Sequence, residues 1–316
     1  MPEARTESNK IWSEDERILL SLCALPGELP PAGIPIIRRL LKSREERGAF
    51  PKERETLAAC GFAEKECDLI LSRLAAAGEG DALDHWLLNL SDSGISVTTI
   101  ISEGYPSRLL AAFAGGAPSV LFYAGDPALF SASCISLVGS RKLRESGQRF
   151  ALEAGKQIAL QGYTYCSGGA EGADSCGFEG AVEAGGSAVL YLARSLKKEM
   201  TRPEYAALIA EGRLLLLSEY SYEAGFSAMR AHSRNRLIHA MGEKTLVAQT
   251  DAFTGGTWTG TADNLKRGLS PVWVSCDEPD DPGYLALLER GAEPVSCAGL
   301  NRLSFLQPAQ QSLPMP

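Results

Sequence analysis

Residues 134–150 read CISLVGSRKLRESGQRF: an apolar run rich in β-branched residues stops at Gly139-Ser140-Arg141, and helical apolar spacing takes over from Phe150. A buried strand that ends in glycine and feeds a helix is the repeating step of an α/β sheet covered on both faces. The step recurs along the chain. Strands are predicted at Cys134–Val138, Tyr163–Cys166, Ala188–Leu192, Arg213–Leu217, Lys244–Ala248 and Pro271–Val274, with amphipathic helices between them. The fold class predicted is α/β with a mostly parallel sheet.

Upstream the texture differs. ERILLSLCAL (16–25), PIIRRLLKS (35–43), ERETLAACGF (53–62) and KECDLILSRLAAA (65–77) place apolar residues three and four apart, punctuated by Pro26, Pro30, Pro31 and Pro51. Residues 1–90 are therefore expected to form a small helical domain. Its basic stretch, Arg38, Arg39, Lys42 and Arg44, reads as a solvated helix face. The runs ISVTTII (95–101) and SVLFYAG (119–125) open a second domain, expected over 91–295, and residues 296–316 are expected to be a tail.

With 31 Lys and Arg against 39 Asp and Glu, the net charge is −8, so a nucleic-acid site has to be local rather than a property of the whole surface. The eight cysteines form no CxxC pair and no metal-spaced set with histidine, which argues against a zinc or redox centre. No apolar leader or membrane-length run is visible, and the cytoplasm is the expected compartment.

Four segments carry candidate chemistry. At Gly139-Ser140-Arg141 the helix offers unpaired amides and a partial positive charge, and Arg141 can add a charge-assisted pair to a phosphate. In YTYCSGGAEGADSCGFEGAVEAG (163–185), Ser167, Gly168, Gly169, Ala170 and Gly172 follow a strand directly, and their small size lets consecutive amides form an anion-binding concavity. The spacing matches neither a dinucleotide GxGxxG nor a GxxxxGK[ST] loop. Asp174 reads as a helix N-cap ahead of any acid–base role. Arg234-Asn235-Arg236 reads as the start of a helix whose two arginines clamp adjacent phosphates or make surface ion pairs, with Asn235 turning back to hold the loop. Finally, Thr254, Gly255, Gly256 and Thr257 put a third amide-rich turn on the same sheet edge, where ligands of open α/β folds collect. His232 and His239 lack triad or metal context and read as structural. Tyr163, Tyr165, Phe178 and Phe226 are stacking candidates for which core packing is the simpler fate.

In order, GYPSRL (104–109), SVLFYAGD (119–126), ISLVGSR (135–141), YCSGGAEGAD (165–174), LLLLSEY (214–220), SRNRLI (233–238) and TGGTWTGTA (254–262) resemble the motifs of the DNA-processing protein A family, DprA or Smf, over roughly residues 95–275. The resemblance implies an extended Rossmann-like fold, binding of single-stranded DNA, loading of the RecA recombinase during natural transformation, a homodimer, no cofactor and no catalysis. It sets the DNA backbone against Gly139, Ser140, Arg141, Ser167, Gly168, Gly169, Gly172, Arg234 and Arg236, with Asn235, Gly255 and Gly256 completing the candidate site. Three departures stand out: Glu171 where a basic residue is usual, Gly177-Phe178 for an Ala-His pair, and a rewritten turn over residues 254–261. With 20 or so residues after 295, the winged-helix domain of some relatives is not expected. The alternative is a phosphoribohydrolase-like enzyme or carrier for a small phosphorylated ligand, although the Pro-Gly-Gly-x-Gly-Thr segment of such enzymes is missing. A third reading is a protein adaptor acting through the helical domain.

Overall fold

The structure is a computed structural model that describes residues 11–305. The described residues divide into two compact units, 11–124 with 219–222, and 125–218 with 223–305.

The first unit holds α1 (Glu14–Cys23), α2 (Ile34–Arg47), α3 (Arg54–Ala59), α4 (Glu64–Gly78), α5 (Ala82–Asp92), β1 (Ser96–Thr99), α6 (Ser107–Phe113) and β2 (Val120–Gly125). Ser13 and Glu16 close a capping box at the start of α1, satisfying two otherwise unpaired amides. Arg73 of α4 is 4% exposed, and its guanidinium donates to the carbonyls of Ser21, Leu25 and Leu29. One buried cation thereby satisfies carbonyls that the end of α1 leaves unpaired. The basic stretch on α2 is largely ion-paired: Arg39 with Glu66, Arg44 with Asp15 at 2.6 Å, Lys42 with Glu46 at 3.8 Å. β1 and β2 pair antiparallel, and Trp86 meets Phe122 edge-on. These two strands, expected beyond a boundary near residue 90, belong to the helical unit, so the texture change and the division of packing do not coincide.

In the second unit lie β3 (Cys134–Val138), α7 (Glu145–Leu160), β4 (Thr164–Ser167), α8 (Ala173–Glu183), β5 (Ala188–Tyr191), α9 (Leu196–Glu199), α10 (Pro203–Ala210), β6 (Leu214–Ser218), α11 (Ala228–Met241), β7 (Gly242–Val247), α12 (Gly255–Arg267), β8 (Val272–Ser275), α13 (Pro282–Leu288) and β9 (Glu293–Val295). Its strands run in the order β6-β5-β4-β3-β7-β8-β9, all parallel. Every residue of β3 and Leu214–Leu217 of β6 are buried, as continuous apolar runs in a doubly covered sheet should be. α7 and α8 pack backbone to backbone: a Cβ on Gly155 would lie 1.8 Å from the Gly177 carbonyl oxygen, and one on Gly180 would lie 2.0 Å from the Leu152 carbonyl oxygen.

The chain winds outward from β3 through β4, β5 and β6, then crosses back to place β7 on the other side of β3. That reversal opens a crevice at the carboxyl ends of β3 and β7. The expected tail needs correcting. Residues Cys297–Phe305 form 3-10 turns with Leu300 and Leu303 buried, and Gln161 bonds the backbone of both. Residues 306–316 lie outside the described residues. No described helix is long and apolar enough to cross a membrane.

Candidate nucleic-acid interface

A cavity of about 310 Å³ fills the crevice, lined by Gly139, Ser140 and Arg141 after β3, by Thr250, Asp251 and Thr254–Thr257 after β7, and by Arg234 and Asn235 of α11. A second cavity of about 240 Å³ lies against Arg141, Gly168, Ala170, Glu171, Arg194, Phe226 and Arg234. Arg141, Ala170 and Arg234 belong to both.

The turns predicted from sequence interlock. Gly172, at φ +83°, packs so closely on the first turn that a Cβ would lie 2.4 Å from the Ser140 carbonyl oxygen, and the Ala173 amide donates to that oxygen at 3.1 Å. Ser140 donates its amide to the Gln249 carbonyl at 2.9 Å, and the Gln249 side chain accepts from Arg144. Thr257 Oγ1 donates to the Gly139 carbonyl at 2.8 Å, and Asn235 Nδ2 to the Gly256 carbonyl at 3.1 Å. Asn235 thus holds the turn before α12, 21 residues downstream, rather than turning back on a loop of its own.

Beneath the glycine turn lies a buried charge pair. Asp174 accepts from the amides of Gly168 and Ala170, both at 3.2 Å, and Arg234 Nη2 donates to the Gly168 carbonyl at 3.1 Å. Burial pushes the Asp174 carboxyl up, opposed by the Arg234 charge and the two amides; burial pushes Arg234 down, opposed by Asp174. Two expectations change here. Asp174 is not an N-cap: Gly172 occupies that position of α8, and the carboxylate reaches back to the preceding turn. The Gly168 and Ala170 amides are consequently occupied by this internal carboxylate rather than left open to a ligand.

α11 begins at Ala228, so Arg234-Asn235-Arg236 sits mid-helix. Residues two apart on a helix face different sides. Arg234 is therefore buried at 5% exposure beside both cavities, while Arg236 lines neither, and the two cannot clamp adjacent phosphates. Ser167 is fully buried and donates to the Leu137 carbonyl, and Gly169 and Gly172 shape the turn without lining either cavity. Gly139, Ser140, Arg141, Gly168, Arg234, Asn235, Gly255 and Gly256 do line them.

The open amides lie at the start of α12. Thr254 makes no side-chain cap, so the first-turn donors of a 13-residue helix face the larger cavity with their share of the dipole. Arg234 lines the same cavity, with its Nε buried and without a hydrogen-bond partner. Arg141 is exposed, its guanidinium 5.4 Å from the ring centre of Phe226. Sequence reasoning missed Arg194, which donates to the Gly169 carbonyl at 2.8 Å and pairs with Glu199 at 2.7 Å. Its position just past β5, at a carboxyl-terminal strand end, was the available signal. The smaller cavity thus gathers three arginines against one carboxylate, Glu171, which is exposed and on its wall. Of the stacking candidates, Tyr165 is fully buried, with its hydroxyl on the Asp174 carbonyl, while Phe226 is 56% exposed. His232 lines the larger cavity; His239 is buried, bonded with Thr245 and Asn264.

A family model described as DNA recombination-mediator protein A matches residues 96–302. Protein Smf of Escherichia coli K12 is 28% identical over 234 residues, 68% of this chain and 62% of that protein. Protein Smf of Synechocystis is 25% identical over 191 residues, 58% of this chain and 48% of that protein. The chain therefore spans less than two thirds of the length of either relative. Among solved structures, DNA processing protein A of Streptococcus pneumoniae superposes with a TM-score of 0.72 at 19% identity, covering 94% of this chain and 99% of that one. The Helicobacter pylori protein of the same name, described with a single-stranded DNA binding mode, gives 0.52 at 22% identity over 63% and 90%.

Proposed function

Since the chain belongs to the DNA recombination-mediator protein A family, we propose that its crevice binds the phosphate backbone of single-stranded DNA without turning it over. One observation carries this reading: the uncapped N-terminus of α12, the Arg234 cation and the exposed Arg141 line one cavity in a protein of net charge −8. Helix amides and guanidinium groups suit a phosphate oxygen, and they carry no base-specific information. The shared arginines continue from the larger cavity into the smaller, which suits a chain of phosphates better than one small anion. The description of the Helicobacter pylori relative as a single-stranded DNA binder supports the same choice of ligand.

The wider role belongs to the same proposal. The protein shields an incoming strand as a homodimer in the cytoplasm and passes it to the RecA recombinase. The family description as a recombination mediator and the ordered motifs support that role.

Fluorescence anisotropy of a labelled oligonucleotide at several salt concentrations, with duplex and mononucleotide as competitors, tests the reading. Salt-dependent binding that both compete poorly is expected. Displacement by mononucleotide alone would reassign the crevice to a small phosphorylated ligand, and release of free base from a nucleoside monophosphate would make the protein an enzyme.

A further inference from the structure

Phe253 stands out on the rim of the crevice. It immediately precedes Thr254, Gly255 and Gly256, which line the larger cavity. Its backbone lies in the left-handed region at φ +62°, which among the described residues only one other non-glycine residue, Asp81, adopts at a comparable angle. A bulky aromatic there is strained, and such strain persists only where surroundings enforce it. The ring is also 69% exposed. It stands edge-on to Trp258 of α12, with ring centres 4.9 Å apart, and the Arg290 guanidinium lies 6.0 Å from its centre and 5.2 Å from that of Trp258.

Phe253 covers Trp258, which is 6% exposed, and its own outer side stays open to water. The edge-on contact and the cation fix an aromatic surface that faces water beside a phosphate-sized set of donors. Aromatic faces of this kind stack bases of any sequence, since every base presents a π-face. Arg290 adds positive charge for the flanking backbone.

We propose that Phe253, braced by Trp258 and Arg290, is a base-stacking platform for the strand whose phosphate occupies the α12 N-terminus. The proposal rests on the strand-binding reading, and adds contact with bases to contact with phosphates.

The test compares a thymidine oligonucleotide with an abasic one of equal length and charge, using the wild-type protein, Phe253→Gly and Phe253→Tyr. Glycine relieves the positive φ, so its thermal midpoint should hold or rise. Its affinity for the thymidine oligonucleotide should fall roughly 5- to 100-fold, as loss of one stacked base implies. Abasic binding and the salt dependence should not change, and tyrosine should restore the loss. Equal weakening on both oligonucleotides would make the ring a mere brace for the turn, and undiminished thymidine binding by Phe253→Gly would remove it from the site; either result overturns the platform. Failure of the wild-type protein to bind either oligonucleotide would overturn the strand-binding reading, and this inference with it.

Discussion

Asp174 and Arg234 hold opposite sides of one residue: the carboxylate accepts the Gly168 amide at 3.2 Å, and the guanidinium donates to the Gly168 carbonyl at 3.1 Å. A Cβ on Gly168 would lie 1.4 Å from Arg234 Nη1, so only glycine lets the guanidinium rest on this turn. Both side chains are buried, at 7% and 5% exposure. Removing either leaves the other charge in a low-dielectric setting without its counter-charge. Asp174→Ala and Arg234→Ala should each destabilise the second unit by about 3–5 kcal/mol. Urea unfolding at neutral pH checks this, and a loss below about 1 kcal/mol for both would show that the pair is not coupled as described.

Arg141 should behave differently. It is exposed, and its contact with Phe226 leaves its charge available. Arg141→Ala should weaken single-stranded DNA binding by about 1–3 kcal/mol and reduce the salt slope by about one, with unchanged urea stability. Glu171 shares the cavity wall with three arginines, so Glu171→Arg should tighten binding, most at low salt where screening is weakest. Anisotropy titrations at two ionic strengths read both effects; weaker binding by Glu171→Arg at low salt would mean the strand does not pass this wall.

The sheet and the three turns were legible because strand and helix periods differ sharply and glycine marks each junction. The start of α11 was not: Ser227 makes no side-chain cap, and the polar segment from Ala228 to Ser233 has no clear apolar stripe, so Arg234 looked like a terminal residue rather than a buried one. Asp174 followed a glycine turn, where an N-cap is the ordinary expectation, and only tertiary packing reveals that its carboxylate closes that turn from beneath. Leu300 and Leu303 lie three apart on a buried face, a signal concealed by the short, Pro- and Gln-rich end of the chain. Arg194 was hidden because no glycine accompanies it.

Gly172 and Gly255 share nearly the same φ, +83° and +82°, but not the same surroundings. A Cβ on Gly255 meets nothing within 4 Å, whereas one on Gly172 lies 2.6 Å from Arg141 Cα and closer still to the Ser140 carbonyl oxygen. Gly255→Ala should therefore cost about 1–2 kcal/mol, for left-handed backbone alone. Gly172→Ala should cost about 2–5 kcal/mol, because the neighbouring turn must move as well. Thermal unfolding separates the two, and DNA affinity should fall further for Gly172→Ala, since Arg141 sits on the displaced turn. Equal losses would refute the interlocking of the first two turns.

His239 supplies a pH dependence whose sign can be worked out. Its ring is 1% exposed, beside Thr245 Oγ1 and Asn264 Nδ2 at 3.2 Å each, and burial lowers its pKa from 6.5 to about 3. Between those values the unfolded chain binds a proton that the folded protein refuses. Stability from this residue is thus complete above pH 6.5 and declines as pH falls toward 3, by up to about 1.4 kcal/mol per pH unit. His85 and His232 are exposed, which leaves His239 as the buried histidine of the chain. His239→Gln keeps a hydrogen-bonding side chain at the site without a titrating ring. Urea midpoints measured from pH 7 to pH 5 should fall for the wild-type protein and stay nearly level for the variant; parallel slopes would place the acid sensitivity elsewhere.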